Sequence, residues 1–219
     1  MELIIGIDFD NTIISYDRLI HKIALEKGLI PPSFSQSKKE IRDHLRRQPQ
    51  GEIEWQKIQA LIYGARIQEA ALISGVKPFL QECAQRNIKV YIISHKTEYS
   101  NLYKEGVNFR TSALNWMNEH LFSEHLAAAA VHFTSTQDEK IIKIGSLGCT
   151  HFIDDLEEVL NSPLFPQKVT KILFNQQSGS GNVSKLSSQL SHGNMNFFSS
   201  WEEIHHYFKN MMVPKIVPK

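Results

Sequence analysis

Apolar residues along this chain gather into short unbroken runs that stop at a polar or acidic residue. Residues 3–7 (Leu3-Ile4-Ile5-Gly6-Ile7) stop at Asp8, and residues 88–93 (Ile88-Lys89-Val90-Tyr91-Ile92-Ile93) stop at Ser94. A weaker run covers 131–134, another over 151–153 ends in Asp154-Asp155, and a fifth spans 169–174. Runs of this length suit strands buried on both faces, as in parallel sheets. Helical spacing separates them at 76–86 and 111–121. Ahead of the fourth run, Thr136 and Glu139 form a capping box for a helix closed by Gly148. The alternation predicts a three-layer α/β fold around a parallel sheet. An amphipathic helix over 201–208 precedes a Pro-containing tail (211–219) expected to fray, and the Ser/Gly/Asn-rich segment 176–196 reads as a surface loop.

One stretch breaks the alternation. About 60 residues between the first strand and Val76 carry no strand pattern, more than one crossover helix needs. Leu19, Ile20, Ile23 and Ala24 form one helical stripe, closed by Gly28. Ser37 and Glu40 make a capping box for a helix carrying Ile41 and Leu45, and Ile58, Leu61, Ile62 and Ala65 follow i, i+3, i+4, i+7 spacing. The expected organisation is a discontinuous core, 1–13 with 77–219, interrupted by a helical insertion over 14–76.

Composition narrows the class. The 219 residues are 42% hydrophobic and 21% charged, as in ordinary globular proteins. Lys+Arg 24 against Asp+Glu 23 leaves a net charge of +1, which argues against nucleic acid as a partner. Cys83 and Cys149 lack a CxxC spacing and point to a reduced, cytoplasmic setting. The N-terminal residues have no basic stretch, so no signal peptide is expected, and no apolar run reaches the ~20 residues that span a bilayer.

Polar groups mark the C-terminal strand ends, where open α/β sheets bind ligands. Asp8, Asp10 and Thr12 follow the first strand, Ser94 ends the second, and Asp154 and Asp155 end the fourth. Lys140 sits in the first turn of the helix before that fourth strand. Converging carboxylates repel unless a cation intervenes, and an all-oxygen donor set suits Mg²⁺. A divalent ion beside a lysine and a hydroxyl is a receptacle for a phosphoryl group, with one aspartate free to act as nucleophile and a second as acid and base.

The run Ile5-Gly6-Ile7-Asp8-Phe9-Asp10-Asn11-Thr12 resembles the first motif, DxDxT after an apolar strand, of the haloacid dehalogenase-like superfamily. Ile92-Ile93-Ser94 resembles its second motif, Lys140 its third-motif lysine, and Phe152-Ile153-Asp154-Asp155 its acidic fourth motif, all in the family's order. The resemblance covers residues 3 to 175. It implies a Rossmann-like α/β core with a small α-helical cap of the first type over 14–76, which closes on the site. It also implies a Mg²⁺-dependent phosphatase acting on a small soluble phosphorylated metabolite through an aspartyl-phosphate. Asp8 would be the nucleophile and Asp10 the acid and base. Ser94 and Lys140 would bind the phosphoryl group; apart from the resemblance, His95-Lys96-Thr97 beside Ser94 reads either as a substrate contact or as the start of an ordinary loop. Asp8, Asp154 and the Asp10 carbonyl would hold the metal, with Asp155 a ligand or its neighbour. Asp10 favours phosphoryl transfer over dehalogenation, since members that displace halide lack it.

Alternatives stand beside these roles. Asp155 could cap the helix starting at Leu156, and Lys143 lies one turn from Lys140. The stripe Lys38, Arg42, Arg46 reads either as an anion contact or as a solvated face beside Glu40 and Asp43. His120/His125 and His205/His206 lack zinc geometry, and Ser178-Gly179-Ser180-Gly181 lacks a Walker lysine. Two other functions share the motifs: a phosphomutase, and a non-catalytic module that binds a phosphorylated ligand. A response-regulator receiver is set aside, because there the acidic pair precedes the phosphorylated aspartate.

Overall fold

The computed structural model describes residues 2–103, 106–121, 131–176 and 195–212. In chain order, β1 (Ile4–Ile7) is followed by a short β2 (Ile14–Ser15), helices α1 (Asp17–Glu26), α2 (Lys38–Arg46) and α3 (Gly51–Ala60), a π turn over Leu61–Ala65, a 3-10 turn over Ile67–Glu69 and β3 (Ala71–Leu72). Then come α4 (Val76–Gln85), β4 (Lys89–His95), α5 (Phe109–His120), β5 (Val131–Thr134), α6 (Gln137–Ser146) and β6 (His151–Asp154). The last elements are α7 (Glu157–Leu160), β7 (Thr170–Phe174), β8 (Met195–Phe198) and α8 (Trp201–Lys209).

Six strands form one parallel sheet in the order β5-β4-β1-β6-β7-β8. Strand alternation sorts its side chains into two buried faces. On one, Ile93, Phe152 and Leu173 pack with Ile141 and Ile144 of α6 and Val159 and Leu160 of α7. On the other, Phe174 meets Trp201 of α8 with ring centroids 6.0 Å apart, and His151 meets Phe208 at 5.0 Å. Phe79 of α4 joins the same layer at 5.2 Å from Trp201 and 5.6 Å from Phe208. Both faces are therefore covered, as the continuous apolar runs require. Among the described residues, no helix is long and apolar enough to cross a membrane.

The chain separates into two compact units. The first comprises Met1–Ile13, Ile73–His95 and Phe122–Lys219, and the second Ile14–Leu72 with Lys96–Leu121. The expected insertion at 14–76 is thus joined by a second excursion of the chain, and α5, expected as a crossover helix of the sheet, groups with α1–α3. The reason lies in its packing: Trp116 of α5 is fully buried and donates its indole N–H to the Ala70 carbonyl at 3.2 Å, while Phe109 meets the Tyr63 ring at 5.9 Å. Within this unit α1 buries Leu19, Ile20, Ile23 and Ala24, and α2 buries Ile41 and Leu45. The third helical stripe ends early, because the π turn leaves Ala65 exposed while Ile62 is buried. β2 and β3 pair antiparallel, a hairpin-like closure that no sequence pattern signalled.

The expected loop over 176–196 reaches too far, since Met195 and Asn196 open β8, held against Lys171 and Ile172 of β7. Ser178–Gly181 lies outside the described residues.

At Gly6 on central strand β1, an added Cβ would come within 2.6 Å of Phe152 Cδ2 and 3.0 Å of Cys149 Sγ. Gly6→Ala is expected to destabilise the first unit by about 1–3 kcal/mol through overpacking. Urea unfolding followed by circular dichroism measures it; an unchanged midpoint would contradict this packing.

Candidate active site

The sheet order places the site. From β1 the chain runs outward through β4 to β5 on one side, and β6, β7 and β8 then fill the other. The order therefore reverses between β1 and β6, and ligands of doubly wound sheets lie beyond the C-terminal ends of strands at such a point. Asp8 directly follows β1 and Asp154 ends β6. The Asp8 amide continues the ladder, donating to the Ile153 carbonyl at 2.9 Å. Ser94 lies next to the end of β4, on the other flank of β1.

The loop after β1 curls tightly. The Ile13 amide donates to the Phe9 carbonyl at 3.0 Å, and Asn11 takes the left-handed conformation with φ 57°, which asparagine tolerates better than most residues. Trp201 of α8 donates its indole N–H to the Thr12 carbonyl at 2.8 Å and pins the loop from below.

Lys140 enters from α6. The Thr136 hydroxyl accepts the Glu139 amide at 3.1 Å, and the Glu139 carboxylate accepts the Ser135 amide at 2.8 Å, one residue before the partner a standard capping box uses. Gly148, with φ 68°, closes the other end. Burial of Ile141 and Ile144 turns Lys140 inward, and its ammonium donates to Asp8 Oδ1 at 2.6 Å and to Asp154 Oδ2 at 2.7 Å. All three side chains are buried, whereas Lys143 is only half-buried on another face of the helix. Of the two lysines, Lys140 is the one at the carboxylates.

Asp154 uses its other oxygen, Oδ1, to accept the Leu156 amide at 2.9 Å. The N-cap position of α7 is Leu156, not Asp155, and it makes no side-chain cap hydrogen bond. Ligand oxygens of Asp8, Asp154 and Asp155 lie within 4.8 Å of one another. Asp10 is half-buried and raises the cost of charging Asp8. His95 is exposed, and its Nε2 faces the Ser135 carbonyl at 3.0 Å. The Arg42 and Arg46 side chains are taken up by Asp43 and Glu52, as a solvated face would be.

Electrostatics follow from the burial. Desolvation pushes the Asp8 carboxyl well above its ordinary value of 3.8; Lys140 opposes this, and Asp154, Asp155 and Asp10 reinforce it. Burial disfavours the Lys140 ammonium too, but Asp8 and Asp154 outweigh that and hold its pKa above the usual lysine range. Two buried hydroxyls, Thr12 Oγ1 and Ser94 Oγ, have no hydrogen-bond partner among the described residues. Unsatisfied buried polar groups are costly, and these two belong to the loop after β1 and to the C-terminal end of its neighbour β4. Thr12 had only its place in the DxDxT pattern as a signal.

No family model and no curated protein matches the chain, but solved structures do. A haloacid dehalogenase-like family hydrolase from Streptococcus pneumoniae shares 17% identity at a TM-score of 0.59, over 95% of this chain and 99% of that one. A haloacid dehalogenase family hydrolase from Deinococcus radiodurans, with bound phosphate and sodium, is 12% identical at 0.59, over 100% and 99%. Protein tyrosine kinase A from Mycobacterium tuberculosis is 12% identical at 0.62, over 95% and 98%. The chain has the haloacid dehalogenase-like fold.

Removing the ammonium leaves two buried carboxylates unopposed, so Lys140→Met is expected to cost about 3–5 kcal/mol at neutral pH. The sign with pH follows from Asp8. Its folded carboxyl keeps its proton above 3.8, where the unfolded one has lost it, so ionised Asp8 opposes folding as pH rises. Without Lys140 that penalty grows, and the deficit of Lys140→Met relative to wild type should widen from pH 5 to pH 8 in thermal melts without divalent cation. A deficit that narrows over that range would refute the assignment.

Proposed function

We propose that this chain, built on the haloacid dehalogenase-like fold, is a Mg²⁺-dependent phosphomonoester hydrolase that carries the phosphoryl group on Asp8 and acts on a small soluble phosphorylated metabolite. The observation that carries this reading is the buried Asp8–Lys140–Asp154 bridge at the switch point of the sheet. The phosphate and sodium bound in the Deinococcus radiodurans hydrolase support an anion-and-cation site in the same fold.

The donor set fits a hard divalent ion. Asp8, Asp154 and Asp155 offer only oxygens, close enough to share one ion, and the raised Asp8 pKa marks positive charge still wanting beside Lys140. Bound there with the Asp10 carbonyl as a further ligand, Mg²⁺ would screen the negative charge of the phosphoryl oxygens from the aspartates.

This chain's residues then divide the work. The Asp8 carboxylate oxygen attacks phosphorus, and the bond from phosphorus to the leaving oxygen breaks while Asp10 gives that oxygen its proton. Asp10, now ionised, takes a proton from water, whose oxygen attacks the aspartyl-phosphate; inorganic phosphate leaves and the Asp8 carboxylate is restored. The unpartnered Ser94 hydroxyl donates to a phosphoryl oxygen, and Lys140 offsets charge gathering on Asp8 and the transferring group. His95 is the outermost contact. Its Nε2–H is given to the Ser135 carbonyl, so the ring would meet substrate through Nδ1.

Asp8→Asn should lower turnover of p-nitrophenyl phosphate by on the order of 10⁴-fold with an unchanged far-ultraviolet spectrum. EDTA should abolish wild-type turnover and Mg²⁺ restore it. Equal turnover in the variant, or in EDTA, would overturn the mechanism. Product analysis with a sugar phosphate distinguishes release of inorganic phosphate from return of the group to the sugar.

A further inference from the structure

The second unit holds a cavity of its own, formed by elements that the proposed chemistry does not use. About 350 Å³ in volume, it lies between the C-terminal half of α3, the π turn and the segment leading into α5. Leu61, Ala65, Val107 and Phe109 supply apolar wall, and Lys27 and Lys57 stand among the lining side chains. A smaller polar recess of about 130 Å³ shares Ala60, Ser100 and Phe109 with it and adds Gln56, Gln59 and Asn101.

The space exists for identifiable reasons. Ala60, Ala65 and Gly106 are small residues of its lining and leave room beside the larger Tyr103 and Phe109. The π turn contributes directly. Its wide ring, closed by the Arg66 amide on the Leu61 carbonyl at 2.9 Å, breaks the helical stripe, so Ala65 is exposed and not packed. Gly64, at φ −116° and ψ −108°, completes the break, and a Cβ there would meet Phe109 Cε1 at 3.2 Å and Val107 Cβ at 3.4 Å. The glycine therefore lets Phe109 stand as a flat wall. Single π turns inside helices recur at functional sites, because the inserted residue weakens the helix and persists where it shapes a site.

Charge selects the occupant. Lys57 is paired with Glu54 at 2.6 Å, whereas Lys27 has no ion-pair partner among the described residues. Among the described residues no acidic side chain lines the cavity or the recess, and Lys27 and Lys57 stand beside aromatic and aliphatic surface. The cavity volume lies within the range of small-molecule sites. We propose that this cavity is a second binding site, separate in its residues from the aspartate cluster, for a small organic anion with a flat aromatic body. The ring lies against Phe109 and Leu61, and the anionic group meets Lys27.

Two probes of one ring skeleton test it: the anionic 1-anilinonaphthalene-8-sulfonate and the neutral N-phenyl-1-naphthylamine. Wild type should bind the sulfonate saturably at one site, at least about tenfold more tightly than the neutral probe at low salt. Lys27→Gln should erase most of that preference and leave the neutral probe's affinity alone. Ala60→Phe, which fills the cavity, should weaken both probes by about tenfold or more at an unchanged melting temperature. Absence of saturable binding, equal affinity for the two probes, or affinities that neither substitution moves would overturn the proposal. Should Ala60→Phe fail to fold, the Lys27→Gln comparison decides alone.

Discussion

A lysine ammonium buried between two aspartates is the constraint around which the first unit is arranged. Taking Lys140, Asp8 and Asp154 out of water costs several kcal/mol per ion, and their attraction repays that only with good geometry. The geometry draws on three elements. β1 and β6 must be neighbours in register so that Asp8 and Asp154 emerge side by side, and α6 must dock at a depth that sets one ammonium 2.6 Å and 2.7 Å from their oxygens. The cap at Thr136 and the left-handed Gly148 fix where α6 starts and stops. Ile141 and Ile144 fix its rotation. The apolar core thus holds a polar site that would be expensive if any of these slipped.

How far such a site can be read from sequence depends on what each residue's position encodes. Asp8, Ser94 and Asp154 were legible because each ends an apolar run, and in a parallel sheet the C-terminal ends of strands share one edge. Lys140 was legible by its place in a capped first turn and was preferred to Lys143 by its spacing to Asp154, which the resemblance supplied; the structure places it against Asp8 and Asp154. The share of work between Asp154 and Asp155 was not legible. Adjacent carboxylates at a strand end look alike until the backbone shows that Asp154 is the one that accepts the Leu156 amide.

The fold shows the same division. Buried strands announce themselves through unbroken apolar runs, so β1, β4, β6 and β7 were found within a residue or two. β8 was not, because Met195 and Asn196 continue a polar stretch and an edge strand has one neighbour to demand apolarity. The grouping of α5 with α1–α3 was beyond periodicity altogether. Its stripe shows that a face is buried, not which partner buries it, and the decisive contact is one indole N–H finding the Ala70 carbonyl 46 residues earlier in the chain.

Net charge shows why a whole-chain average is a poor guide to either cavity. The chain carries +1, yet Asp8, Asp10, Asp154 and Asp155 crowd one strand edge with Lys140 as their buried cation, while Lys27 sits beside a lining with no carboxylate among the described residues. Each region departs from neutrality in its own direction, which a sum over 24 basic and 23 acidic residues does not show. At the strand edge, burial and the neighbouring carboxylates raise the Asp8 pKa, and Lys140 opposes them. A divalent cation among the same oxygens would do the same, so proton and metal compete for one place. Under the proposed function, the metal is what would leave Asp8 ionised to attack phosphorus.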